Sequence, residues 1–569
     1  MSNLLEQASL VMIPSGYKED VVYSEIPING AGDMSLTRAS NGTRINSQGL
    51  VEVVPWNLLS YSEAFDNAAW TQDAAGTGTI SVTANYGVAP NGTTTADRIQ
   101  MTKGSIYTQI YQTMTVISGA QYTISVYLKS LSGTPTITTL YNTAVSGTKT
   151  LTTEWVRYDF TFTAASSTIY PMVALYGSDS ASMDVLAWGY QLNIGSTAKP
   201  YFPTTDRLNV PRLTYQNGGG GCPSLLLEKQ STNLCTYSEQ LDNSAWTKNN
   251  TSITANSVTS PDGTQNADTI TSTAASPNTL SPLASFAATT NVSIFVKYVS
   301  QQWVQLMSGG AFNAYANFDI QNGVIGTVGS NASNAQIENF GNGWYRISVN
   351  LLGFTGNTNL YFGFVANGTA GWNTFDPNFN KSLYAWGCQI EVGAYPTSYI
   401  PTTSSSATRV ADACFKTGIS SLIGQSQGVL FVDLVITGTT GNNRFSISDG
   451  SNTNWIFIGT PEDGGTRASR FYIKTNGSVA VDVGTSSYFT IGQRYKLALA
   501  YKSGDWAVYA NGSLLYSGTD SIGSVSSALS QFNFFNASGG TADTGEQINQ
   551  AILFPTRLSN SELASLTTI

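Results

Sequence analysis

The chain has 569 residues, a formal net charge of −9, no histidine, four cysteines and only 11% charged residues. Without histidine there can be no Ser-His or Cys-His nucleophile pair and no imidazole metal site. A negative chain disfavours a phosphate backbone as partner, and no stretch reaches the roughly 18 apolar residues of a membrane span, so neither nucleic acid nor membrane insertion is expected.

Glycine (54) and tyrosine (29) are abundant, and no window has the Ala, Glu, Lys, Leu and Arg mix of long helices. Short alternating runs between Gly, Asn and Ser turns predict sandwiches or barrels. The expected fold is all-β: tandem β-sandwich (jelly-roll) domains with a short N-terminal leader and one short C-terminal helix. Cys222, Cys235, Cys388 and Cys414 have no CxxC spacing, and reduced thiols are expected.

In chain order, residues 1–55 form a leader with an apolar cluster at Leu4, Leu5, Leu10, Val11 and Ile13. Its start lacks the basic residues and long apolar run of a signal peptide. It reads either as a docking segment or as a strand or short helix covering an edge of the first sandwich. Residues 56–205 form that sandwich. There QYTISVYLKS sets Tyr122, Ile124, Val126 and Leu128 on one face, with Thr123, Ser125 and Lys129 on the other. The connector, 206–231, carries Gly218 to Gly221, a hinge or a hairpin loop between Leu213 and Leu225. A second sandwich fills 232–403 and a third 404–569. In the third, Asn511-Gly512 predicts a tight hairpin, and Ser559 with Glu562 the capping box of a closing helix.

The first two sandwiches are copies. NLLSYSEAFDNAAWTQ from Asn57 answers NLCTYSEQLDNSAWTK from Asn233, pairing Tyr61 with Tyr237 and Trp70 with Trp246. PNGTTTADRI from Pro90 answers PDGTQNADTI from Pro261, and EWVRYDFTF around Trp155 answers GWYRISVNL around Trp344. AWGYQLNIGSTAKPYFPTT from Ala187 answers AWGCQIEVGAYPTSYIPTT from Ala385. The repeated Trp70, Trp246, Trp188 and Trp386 are expected to be packing residues, because a duplicated scaffold keeps its core more readily than its specificity.

The leader TRASNGTRINSQGL and the connector LLLEKQSTNLCTYSE, together with the ending WGCQIEVGAYPTSYIPT, resemble tailed-bacteriophage virion proteins over roughly residues 20–415. The third unit, through YKSGDWAVYANG and LSNSELASL, more loosely resembles the concanavalin A-like or laminin-G-like sandwich. The resemblance implies carbohydrate-binding-module-like jelly rolls in a fibre or appendage on the particle surface. It implies docking to other virion proteins through the leader and attachment to a host cell-surface glycan. It also implies a homo-oligomer, with a trimer favoured, although no heptad or G-X-Y repeat is present to make one. The alternative is a purely architectural decoration protein; a glycan depolymerase is the least favoured reading.

Sugar rings are held by flat aromatic faces. The aromatics that differ between the copies, Trp303, Trp372 and Trp455, are therefore the ligand-binding candidates, each weighed against partly buried packing. Trp506 is expected in the core. No catalytic residue is assigned: Asp376, Glu462 and Asp463 sit in turn-like sequence, which could also hold a structural Ca²⁺. No other cofactor is expected.

Overall fold

The computed structural model describes residues 2–569 apart from 138–148, 276, 283–288, 353–358, 439–441, 461–468, 486–488, 491, 526 and 536–544. The chain divides into two compact units, one of residues 53–207 with 256–267, the other of residues 1–52, 208–255 and 268–569. Antiparallel strands dominate both, as composition predicts.

The smaller unit holds the first sandwich. Tyr122, Ile124, Val126 and Leu128 of Gln121–Ser130 turn into its core. The strand order is Val156–Thr163, Gln121–Ser130, Ser182–Ile194, Ala96–Thr102, Thr79–Gly87. A second sheet, Met172–Tyr176, Tyr107–Tyr111 and Thr71–Ala74, closes the core with Ile110, Val173 and Leu175. Thr123 and Ser125, expected on an open face, are buried. The chain after Ile194 folds back across them: Thr123 Oγ1 donates to the Gly195 carbonyl at 2.8 Å, and Arg157 Nη2 bridges Ser125 Oγ and the Lys199 carbonyl.

The second sandwich repeats the order. It runs Trp344–Leu351, Thr290–Tyr298, Ser382–Val392, Ala267–Ser272, Thr251–Val258, with Ala332–Gly341 added at one edge. The facing sheet runs Trp246–Asn249, Thr279–Pro282, Leu360–Val365 and continues through Trp303–Ser308, Tyr315–Asp319 and Val324–Val328.

The repeated motifs trace one hydrogen-bond scheme. Asn57 Nδ2 donates to the carbonyls of Tyr190 and Phe202, both at 3.1 Å; Asn233 Nδ2 donates to those of Cys388 and Ile400 at 3.1 and 2.8 Å. Gly189 (φ 64°) and Gly387 (φ 63°) sit in matching bulges, where a Cβ would meet the Tyr201 or Tyr399 ring at 3.1 or 3.3 Å. Those tyrosine hydroxyls bond Ser62 and Ser238 at 2.8 and 2.7 Å. The separated strings NLxxYSE, AWG and YxPTT are thus one structural unit, which is why they recur together.

The third sandwich departs from the expected boundaries. The leader is not a separate segment: Leu10–Met12 pairs with the penultimate element, Glu546–Phe554, in the register Leu10↔Leu553. Tyr17–Lys18, Val21–Val22 and Met34–Thr37 extend the nine-stranded sheet that carries Ala413–Thr417, Gln531–Asn533, Arg444–Ser448, Trp455–Gly459, Ser469–Thr475 and Ser478–Thr485. The connector is a hairpin, Leu213–Thr214 paired with Ser224–Leu227 through Leu213↔Leu225, added to the eight-stranded sheet. The physical reason is burial. Leu10, Met12, Met34, Leu36, Leu213, Leu225 and Leu227 complete one core with Leu430, Leu497, Phe532 and Leu553. The Asn511-Gly512 turn has both residues at positive φ (48° and 82°), and the closing helix Asn560–Thr567 carries the Ser559–Glu562 capping box.

A buried ionic node ties these segments together. Asp412 accepts from Arg38 Nη1 at 2.8 Å and from Arg212 Nη2 at 2.6 Å. Glu228 accepts from Arg212 Nη1 at 2.6 Å and Arg409 Nη1 at 3.1 Å. Ser398 adds its N–H and hydroxyl to Glu228 at 2.7 and 2.6 Å. Burial alone would raise the Glu228 carboxyl, but Arg409 and Arg212 outweigh it and hold it at about 2. Burial brings Arg38 down to about 10 despite Asp412. Leader, connector, the end of the second repeat and the linker after it each contribute a member.

Candidate functional site

The second sandwich carries a preorganised aromatic surface. In Trp303–Ser308 and Tyr315–Asp319, Val304, Leu306, Ala316 and Phe318 face the core. The same alternation turns Gln305 and Asn317, both fully buried, to the other side of the sheet. A loop of residues 366–380 lies across that face and offers carbonyls to their amide N–H groups. Asn317 Nδ2 donates to the carbonyls of Gly368 and Ala370 at 3.1 and 2.7 Å, and Gln305 Nε2 to that of Gly371 at 3.1 Å. Gly368 rests on the Trp303 ring and Gly363 under the Phe375 ring; a Cβ at either would come within 2.4 or 2.7 Å of it.

The far end of the loop is pinned by Asp376. Its carboxylate accepts from the Asn378 N–H and Nδ2 and from Lys381 Nζ, each at 2.9 Å. Burial would raise this carboxyl, but the bonds from Lys381 and Asn378 bring it below its ordinary value. Asp376 is therefore a loop anchor.

Between the pins stands Trp372. Its Nε1 donates to the Ser308 carbonyl at 2.8 Å, which fixes the indole. Phe312, 65% exposed, packs edge-on to it with centroids 5.3 Å apart at 73°. The half-buried indole and exposed phenyl form an amphipathic surface beside the polar Asn331, whose Nδ2 donates to the Phe312 carbonyl at 2.8 Å. Such a surface can stack on the C–H face of a sugar ring while hydroxyls reach the rim.

The structure does not gather the three candidate tryptophans. Trp303 and Trp372 share a sheet face but lie at opposite ends of Trp303–Ser308, and Trp303 is half-buried beneath the loop. Trp455 belongs to the third sandwich. It is 8% exposed, packed on Phe457 at 4.4 Å, with the Arg444 guanidinium 5.0 Å over its ring. Phe312, Gln305 and Asn317 were missed by sequence reasoning. The signal for the last two was available: an amide at the non-core position of an otherwise apolar strand asks for a covering partner. Trp70, Trp246, Trp188, Trp386 and Trp506 are all buried, as expected of packing residues.

Glu462 and Asp463 lie outside the described residues. Among the described residues, no three of Asp, Glu and Cys gather as a metal site would require. Two carboxylates, Glu228 and Glu338, line one cavity of about 430 Å³. Both oxygens of Glu228 are already engaged by the ionic node, so it is unsuited to act as a nucleophile.

No family model and no curated protein matches the sequence. Among solved structures, the chain is similar to domain 4 of AbnA, an extracellular arabinanase of Geobacillus stearothermophilus in complex with arabinotriose. The identity is 17% and the TM-score 0.24, over 31% of this chain and 84% of that one. It is similar to the carbohydrate-binding module CBM40 of a Ruminococcus gnavus sialidase, bound to sialyllactose, at 16% identity and TM-score 0.23 over 27% and 91%. A tandem CBM22 domain of Paenibacillus barcinonensis Xyn10C is 14% identical, at TM-score 0.19 over 59% and 98%.

Proposed function

We propose that the chain is a non-enzymatic virion protein of a tailed phage, a fibre or appendage subunit that contacts host surface glycan through the Trp372–Phe312 surface. One observation carries the glycan assignment: an indole held by a hydrogen bond, beside an exposed phenyl, on a loop clamped by buried amides. A platform fixed before binding loses little conformational entropy when a ring stacks on it. Trp303 lies under the loop and Trp455 under an arginine, so Trp372 is the principal contact.

The sequence resemblance of leader and connector supports the particle assignment and exposure on its surface. Because Leu10–Met12 is a strand of the C-terminal sandwich, the docking surface proposed for the leader belongs to that sandwich. Single sugar contacts are weak, so the proposal includes a homo-oligomer, a trimer by resemblance, that gains avidity from several copies. It calls for no cofactor.

A glycan array with the full-length protein tests this. Retention on host polysaccharide is expected. Failure on every host glycan, with normal incorporation into particles, would favour the architectural role.

A further inference from the structure

The third sandwich holds a polar layer inside its core. Phe445, Ile447, Ile456, Ile458, Phe471 and Ile473 point inward from three neighbouring strands. The same alternation turns Asn443, Thr460 and Ser469 inward at one end. They lie side by side: Thr460 N donates to the Asn443 carbonyl at 2.8 Å, and the register Gly459↔Arg470 sets Ser469 opposite Thr460. From the facing sheet comes Glu546, whose Oε1 accepts from Thr460 Oγ1 at 2.8 Å. All four residues are 0% exposed.

Their remaining polar atoms are not satisfied. Glu546 Oε2, Ser469 Oγ, and both Oδ1 and Nδ2 of Asn443 have no hydrogen-bond partner. The Asn443 amide lies beside the Glu546 carboxylate, but not in hydrogen-bond geometry. Each such atom is costly to bury, so four together call for an occupant.

The donor set indicates which. Carboxylate, amide and hydroxyl oxygens are hard ligands that suit an alkali or alkaline-earth cation. Charge then selects between them. Glu546 is the one acidic side chain among the four, so its carboxylate brings a single formal charge. A monovalent ion leaves the layer neutral, whereas a divalent ion leaves an uncompensated positive charge in the core, which is costly.

We propose that Glu546, Asn443, Thr460 and Ser469 hold a monovalent alkali cation of the sodium class, which completes the core of the third sandwich. The site is independent of the glycan surface. Ordered water is the competing occupant.

Thermal unfolding of the full chain in sodium chloride–choline chloride mixtures at constant ionic strength tests the proposal. The transition of the C-terminal sandwich is expected to rise by about 3 °C as sodium replaces choline, because an ion that binds only the folded state stabilises it. Glu546→Gln should abolish that dependence. Ser469→Ala, which keeps the carboxylate and is expected to fold even if Glu546→Gln does not, should need about tenfold more sodium for the same shift, a loss of about 1.4 kcal/mol. Equal midpoints in sodium and choline would overturn the proposal in favour of water. A rise produced by millimolar calcium but not by sodium would overturn the monovalent assignment, and a wild-type response from Ser469→Ala would overturn the ligand set.

Discussion

The indole Nε1 of Trp246 donates to the carbonyl of Tyr237 at 3.1 Å, and Tyr237 holds a left-handed backbone, φ 50°. The first repeat does the same thing: Trp70 donates to Tyr61 at 2.9 Å, with Tyr61 at φ 49°. In each copy the tryptophan closes the loop that begins the sandwich and fills its core.

Trp70→Phe and Trp246→Phe should therefore behave alike. Each keeps an aromatic ring but loses the indole's hydrogen bond to a carbonyl that still accepts from the Ala64 or Gln240 N–H, at a cost of about 0.5–1.5 kcal/mol. Denaturant melts that separate the two sandwiches would check this. A large loss at one site and none at the other would mean that the two loops are not equivalent.

Asp412 is the most exacting position in the ionic node. Asp412→Asn leaves Arg38 and Arg212 buried without their shared carboxylate and should cost about 3–5 kcal/mol. Asp482→Asn, which breaks the partly exposed pair with Arg470, should cost less than about 1 kcal/mol. Comparable losses at the two sites would argue against a buried node.

The node also sets an acid limit. Glu228 titrates at about 2 in the folded chain against an ordinary 4.5, and Asp412 is lowered too, despite burial, by Arg212 and Arg38. Lowered carboxyls stabilise the fold fully above their ordinary range, and that stability drains away as pH falls through the folded values. For Glu228 the contribution is of order 3 kcal/mol. Melting temperature followed from pH 6 to about pH 2 should fall steeply below about 4.5; a flat profile would contradict the assignment.

Removing residues 1–20 should destabilise the C-terminal sandwich rather than detach a dispensable leader. Leu10, Val11 and Met12 are buried, and each fully buried side chain of this kind contributes about 1.5–3 kcal/mol. Hydrogen exchange along Glu546–Phe554 should accelerate in the truncated chain. Unchanged protection there would contradict the pairing with Leu10–Met12.

These outcomes follow how much the sequence made legible. Alternation and duplication revealed the sandwiches, Trp70 and Trp246, because each copy checks the other. The Leu213–Leu225 hairpin and the Ser559–Glu562 cap were readable because their partners are close in sequence. The pairing of Leu10 with Leu553 was not, since a strand contact across more than 500 residues leaves no local trace. The candidate site was half legible. Trp372 stood out by differing from the first copy, but Phe312 becomes its neighbour only through the path of the loop.

Calorimetric titration of host polysaccharide into the wild-type chain, Trp372→Ala and Trp455→Ala tests the glycan surface. Trp372→Ala is expected to weaken binding at least about tenfold, or about 1.4 kcal/mol, in a sandwich that still folds with a modestly lower melting temperature, while Trp455→Ala binds as wild type if it folds. Undiminished binding by Trp372→Ala, in a folded protein that still recognises the glycan, would contradict it.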